Sequence, residues 1–297
     1  MENSNNILTS TVAIGKNSSH PLIANRPGYG TMRLTGKDVW GEPENRPEAL
    51  QILRRAIELG VNYLDTADYY GYGVTNRLIE EALYPYPSDL IIGTKIGAMR
   101  KDDKSWNVFS KPEQLRQSVE NNLKELKLEQ LSLVHFRVMP VGETSFEESL
   151  EAMFQLQNEG KILHVGLSNV SREQLQTGLK MGNIASVQNL YGYTQRTTLS
   201  GPMGGAGGEE ILDLLEENEI PLIPYFSLQT SLNKTQEKIE QVAKKYELSI
   251  AQMNIVWLLH KSPWILPIPG TTSLAHLEEN LNAAKTTLDK EDIEFLS

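Results

Sequence analysis

The chain has 297 residues, a formal net charge of −10, 39% hydrophobic and 22% charged residues, and no cysteine. This reads as a globular protein long enough for a large core, and the acidic balance argues against nucleic acid as a partner, since phosphate contacts need clustered Lys and Arg. The lack of cysteine removes disulfides, thiolate nucleophiles and Cys-based metal sites, and His20, His135, His164, His260 and His276 never pair at metal-ligand spacing, so no metal is expected.

In chain order, the opening MENSNNILTS lacks the basic and apolar stretches of a secretory signal. No apolar run approaches the ~20 residues that span a bilayer. A cytoplasmic protein with no membrane partner is therefore expected, and residues 1–25 should cap the lower end of the fold or fray. Strands are then predicted at 29–33, 61–65, 90–95, 131–135, 162–167, 185–189, 221–225 and 264–268, where short β-branched runs occur. Between them, helical periodicity predicts 47–59, opened by Pro47 and closed by Gly60, and 112–127, whose Leu115, Val119, Leu123 and Leu126 share one face. Further helices are predicted at 147–158, 171–180, 209–218 and 249–260, with an extra one at 234–246 and two closing segments at 273–284 and 289–296. The run GPMGGAGG, 201–208, lacks the Lys-Ser/Thr ending of a phosphate loop and reads as a flexible loop, with a lid as the lesser reading. Strands alternating with helices over ~250 residues point to an α/β (β/α)8 TIM barrel. No linker composition divides the chain, so a single domain over 1–297 is expected.

In such a barrel the C-terminal strand ends converge on one face. Asp65, Lys95 and His135 close three successive predicted strands, delivering a carboxylate, an ammonium and an imidazole to one neighbourhood. One such residue alone is more often a cap, a snorkelling lysine or a core histidine; three in register favour a site. The stretch YLDTADYYGYG, 63–73, adds Tyr69, Tyr70 and Tyr72. A nearby ammonium would lower a phenol's pKa, making it a general acid for a developing alkoxide. Spacing alone does not choose among the three tyrosines.

The pattern Gly60-x-x-x-x-Asp65-Thr66-Ala67-x-x-Tyr70-Gly71, with Lys95 in IIGTKIG and His135 in LSLVHF, resembles the aldo-keto reductases, a (β/α)8 family of NADPH enzymes. The resemblance selects Tyr70 as proton donor, with Asp65, Lys95 and His135 as the other catalytic residues, His135 orienting the carbonyl oxygen. It also implies cofactor contacts. Ser168 and Asn169 in HVGLSNV and Gln188 in SVQNLY would hold the nicotinamide carboxamide, and the Tyr225 ring would stack on the nicotinamide. Gly30, Thr31, Met32, Asp65, Phe226, Ser227 and Leu228 are assigned to the cofactor too. Gly270, Thr271, Thr272, His276, Glu279 and Asn280 resemble the adenosine-phosphate segment, where a helix N-terminus favours an anion.

Asn76 stands where many members carry Glu, which reads as structural. His276 stands where several carry Arg, so NADPH is expected with NADH left open. Within the family, VTNRLIEEALYPYPSDLIIGTKIGAMR and FRVMP resemble a bacterial group that includes pyridoxal reductases. Trp106, Phe109 and Arg137 are expected to line the pocket for a small-molecule carbonyl substrate. The expected activity is reduction of an aldehyde or ketone to an alcohol. Two alternatives remain open at this stage: a Schiff-base lyase or aldolase using Lys95, and a nicotinamide-sensing regulatory subunit. Oligomeric state is not legible.

Overall fold

The structure, a computed structural model, describes residues 10–140, 142, 144–199, 205–225, 228 and 234–297, with the side chains of 234 and 235 excepted. The strands are β1 (Ser10–Ile14), β2 (Leu22–Arg26), β3 (Tyr29–Gly30), β4 (Tyr63–Asp65), β5 (Ile91–Ile96), β6 (Ala98–Arg100), β7 (Trp106–Val108), β8 (Leu131–Arg137), β9 (Ile162–Ser168) and β10 (Val187–Gln188). The helices are α1 (Arg46–Glu58), α2 (Val74–Leu83), α3 (Pro112–Leu126), α4 (Phe146–Asn158), α5 (Arg172–Met181), α6 (Leu212–Glu217), α7 (Lys234–Lys245), α8 (Ile250–Lys261), α9 (Leu274–Ala283) and α10 (Lys290–Phe295).

Six strands form a parallel sheet in the order β10-β9-β8-β5-β4-β3. Two further segments complete the ring. Leu222 bridges Val187 on one side and Ile265 on the other, and Gly28 N donates to Pro267 O at 2.9 Å, closing the last staff onto the first. The chain therefore folds as a (β/α)8 barrel. The predicted strands 221–225 and 264–268 survive only as bridges because Pro224, Pro267 and Pro269 supply no N–H to a ladder. The predicted 29–33 strand stops at Gly30, where Met32–Leu34 turn into a 3-10 helix.

Local signals account for most helix starts. Asn45, Ser145, Ser171 and Ser249 each accept a hydrogen bond from a first-turn N–H of α1, α4, α5 and α8. The sequence reading omitted α2, whose N-cap is Gly73 in a left-handed conformation with no capping side chain. It also omitted the β6–β7 hairpin, which stands directly after β5.

Residues 1–9 lie outside the described residues. Antiparallel β1 and β2 form a hairpin across the N-terminal strand ends. Its Val12, Ile14 and Ala24 pack with Tyr63, Ile91, Leu133, Ala185, Ile223 and Leu266, the lowest apolar layer of the barrel interior. The larger apolar cluster lies between sheet and helices and runs from Tyr29 to Leu296. Sealed below and packed around its rim, the barrel leaves its upper mouth as the place where polar side chains meet.

Candidate active site

The mouth opens into a cavity of about 670 Å3 lined by Gly30, Met32, Asp65, Tyr70, Lys95, Trp106, Arg137, Gln188, Tyr225, Leu228 and Gly270 among the predicted site residues. Tyr69, weighed with Tyr70 and Tyr72 above, also lines it, as do Arg33, Asp38, Val39, Arg100, Ile268 and Pro269, which were missed. Arg100 belongs to the omitted β6–β7 hairpin, where its guanidinium lies 4.6 Å from the Trp106 ring centroid. The Lys-Asp-Asp-Lys run at 101–104, flanked by short apolar stretches, was the available hairpin signal.

At the cavity floor Lys95 Nζ donates to Asp65 Oδ2 and to the Thr66 carbonyl, each at 2.7 Å. Both side chains of the pair are almost fully buried. Gln188 Nε2 donates to the other Asp65 oxygen at 2.8 Å, so the carboxylate is held on both sides. Below lies a buried network in which Thr66 reaches Thr75 and Asn76, and Asn122 links Asn76 to Thr94. Asn76 is thus a structural crosslink, as its departure from the family pattern suggested. A lysine nitrogen held as a donor between a carboxylate and a carbonyl is the opposite of the neutral amine a Schiff base needs.

Lys95 Nζ sits over the Tyr70 ring, 4.9 Å from its centroid. Tyr69 packs edge-on against the same ring at 5.4 Å. The expected lowering of the Tyr70 pKa is not what this pocket produces. Burial, followed by Asp65, pushes the phenol well above its ordinary value, and Arg137 is the cation that opposes them. The Lys95 charge is already answered by Asp65.

His135 does not join the cavity. Its Nε2 lies 2.9 Å from Ser186 Oγ, with no exposed surface, and its ring fills the space left by Gly166, where a Cβ would stand 2.5 Å from Cδ2. Burial first, then Lys95, pushes it down to about 3, so it is a neutral core imidazole. The structure thus sets His135 just outside the lining of the cavity. Strand alternation sends residues two apart to the same face, and Arg137, two positions further toward the mouth, lines the cavity instead.

The remaining residues frame a second part of the mouth. Gly30 and Gly270 lie against each other: a Cβ on Gly30 would meet the Ile268 carbonyl oxygen at 2.7 Å, and one on Gly270 the Gly30 oxygen at 2.5 Å. Tyr29 Oη ties this seam by donating to Thr271 O at 2.6 Å. Thr31 is buried, donating to the Asp65 carbonyl at 2.9 Å through Oγ1. Ser168 Oγ is buried without a partner, beside Gln188 in register. Asn169, in contrast, is fully engaged: its amide nitrogen donates to Val138 O, and its oxygen accepts from Ala206 N and Tyr225 Oη. Its amide ties the Ala206 loop and Tyr225 to the Val138 carbonyl. Thr272, His276 and Glu279 are exposed around the start of α9, while Asn280 is buried. Phe226 and Ser227 lie outside the described residues.

Of the glycine-rich run, 201–204 lie outside the described residues. Within the described part, Gly205 and Leu199 exchange backbone hydrogen bonds, and Gly208 N donates to Leu190 O. Phe109 lines a separate, smaller cavity beside Asp68 and Glu125.

Gly30 and Gly270, the unpartnered Ser168 hydroxyl and the Tyr225 ring suit a dinucleotide whose flat ring reaches the cavity floor. Comparison with known proteins agrees with this geometry. The Aldo/keto reductase family model matches residues 28–297. Pyridoxine 4-dehydrogenase of Escherichia coli (strain K12) is 40% identical over 277 residues, covering 92% of this chain and 93% of that protein. An uncharacterized oxidoreductase of Schizosaccharomyces pombe is 35% identical, covering 91% of this chain and 85% of its own. The solved structure of a thermostable aldo-keto reductase in complex with epalrestat superposes with a TM-score of 0.79 at 28% identity, covering 97% of this chain and 98% of that one. The chain belongs to the aldo/keto reductase family and is an NAD(P)H-dependent oxidoreductase.

Proposed function

We propose that the protein reduces an aldehyde to a primary alcohol with NADPH, and that pyridoxal is a substrate. The observation that carries this reading is the buried Lys95–Asp65 pair beneath Tyr70, at the wall of a cavity of about 670 Å3. The similarity to a pyridoxine 4-dehydrogenase supports the substrate.

Gly30, Ser168, Gln188, Tyr225 and Gly270 would hold the cofactor, with Thr271, Thr272 and the start of α9 toward its adenosine end. The bound cofactor supplies the hydride. As the carbonyl carbon accepts it, the C=O π pair moves onto oxygen, and the Tyr70 hydroxyl gives that oxygen its proton. The product is the alcohol, and the Tyr70 phenolate regains a proton from water. Asp65 holds Lys95 in place, and Lys95 fixes the Tyr70 ring from one face. Tyr69, Trp106 and Arg100 close the substrate side and limit water.

The test compares NADPH and NADH oxidation with pyridoxal, benzaldehyde and methylglyoxal. Faster turnover of pyridoxal, and of NADPH over NADH, is expected. Equal, low rates on all three aldehydes would remove pyridoxal from the account.

A further inference from the structure

We propose that Arg100 sets substrate preference: its guanidinium takes an anionic oxygen carried at the end of the aldehyde remote from the carbonyl, so that such aldehydes are reduced ahead of uncharged ones. The inference rests on the reductase reading and narrows its substrate class.

Arg33, Lys95, Arg100 and Arg137 line the mouth cavity of a chain whose net charge is −10. Three of these cations already have a partner or a place. Lys95 is answered by Asp65, and Arg137 is hydrogen-bonded to Tyr225. Arg33 lies against the cofactor seam, its Cγ 3.7 Å from where a Cβ on Gly270 would stand. Arg100 remains.

Arg100 stands opposite Trp106 in the β6–β7 register, and cross-strand partners share one face of a hairpin. Its guanidinium is held between two indoles, 4.6 Å from the Trp106 ring centroid and 5.7 Å from that of Trp40. The residue is only 5% exposed. Nε donates to the Lys104 carbonyl at 3.0 Å, and the two terminal nitrogens to the Asp38 carbonyl at 3.3 Å each. These bonds use three of the five N–H groups of a guanidinium, and both acceptors are neutral. The one carboxylate that acts on Arg100, that of Asp38, is itself paired with Lys104 at 3.8 Å and is 58% exposed. Burial outweighs it and pushes the Arg100 pKa down. A desolvated cation is costly until an opposite charge answers it. The indole faces do so in part; an anionic group in the cavity completes the pairing, with charge-assisted hydrogen bonds from the remaining N–H groups.

The order of the rings sets which end of the substrate Arg100 meets. Tyr69 lies 5.4 Å from Tyr70, Trp106 lies 5.3 Å from Tyr69, and Arg100 comes next along the same wall. A carbonyl seated at the Tyr70 hydroxyl therefore leaves Arg100 to the far end of the molecule. Pyridoxal carries its ring oxygens beside the aldehyde, so this preference is measured on other substrates.

The pair 4-carboxybenzaldehyde and methyl 4-formylbenzoate differ in charge only at the far end. In the parent, the ratio of kcat/KM, acid over ester, should be about tenfold or more, carried by KM, as befits hydrogen bonds to a charged group. R100Q should bring that ratio to about one, and R100K should keep part of it; a loss common to both substrates reports hairpin packing and cancels in the ratio. A parent ratio at or below one, which needs no variant to measure, or an R100Q ratio equal to the parent's, overturns the proposal. Calorimetric binding of 4-(hydroxymethyl)benzoate with NADPH present gives a readout without turnover. The parent should bind it at least about tenfold more tightly than R100Q. Equal affinity overturns the contact, whereas tight binding lost in R100Q, with no aldehyde reduced, upholds the contact and counts against the reductase reading instead.

Discussion

Replacing Asp65 by Asn tests the electrostatic core of the site. The amide keeps an oxygen for Gln188 Nε2, now at 2.8 Å, but withdraws the charge that answers Lys95 at 2.7 Å. Lys95 is then left with the Thr66 carbonyl in a setting where its side chain is 2% exposed. Breaking a buried pair by removing one partner costs about 3–5 kcal/mol, because the remaining charge is uncompensated. For 297 residues, at ~2.1 cal/mol/K each, the unfolding entropy is ~0.6 kcal/mol/K, so Tm should fall by about 5–8 °C. The assay is scanning calorimetry at neutral pH on the parent, D65N, K95M and the double variant. The double variant should recover part of the D65N loss, since two neutral groups no longer leave a stranded charge. A D65N melt indistinguishable from the parent, or a double variant that shows the sum of the single losses, would refute the buried pair.

Ser168→Ala should raise the KM for NADPH about five- to tenfold, the cost of about one hydrogen bond, without lowering Tm, because its hydroxyl has no partner in the protein; steady-state kinetics and a thermal melt read the two effects separately. Gly270→Ala places a Cβ 2.5 Å from the Gly30 oxygen, so the seam must open; NADPH Kd should rise while the far side of the barrel stays folded, and an unchanged Kd would dissociate the seam from the cofactor site. Burial first, with Glu125 adding to it, pushes the Asp68 carboxyl up to about 7. The folded state therefore holds an extra proton between the unfolded value of about 3.9 and that point, and the associated stability is lost as pH rises through the window. Asp68→Asn should gain on the parent in urea unfolding between about pH 4 and about pH 8, and parallel stability profiles would contradict the assignment.

Much of the fold is legible because period-2 apolar runs and capping residues announce their elements: Ser145, Ser171 and Ser249 mark helix starts that the structure contains. Helix α2 escaped because Gly73 gives its start a backbone conformation in place of a capping side chain. The last two barrel staves were visible as apolar runs, but their prolines reduce them to bridges. Asp65 and Lys95 stand out as polar residues that interrupt apolar strands. The depth at which His135 and Arg137 sit was not legible in the same way. Both point inward from β8, and only the register and the room beside Gly166 show that one is sunk and the other faces the cavity. Arg100 was hidden because a hairpin, absent from a simple strand–helix alternation, carries it to the mouth.

The most direct test of the whole account is turnover by Tyr70→Phe under single-turnover conditions, with NADPH affinity measured on the same preparation. The ring remains to pack against Tyr69 and under Lys95, and only the proton donor is removed. The account predicts a loss of about a hundred- to ten-thousandfold in the rate of aldehyde reduction, the usual worth of a positioned general acid, with the NADPH Kd unchanged. Reduction by Tyr70→Phe at a rate close to the parent's would contradict it.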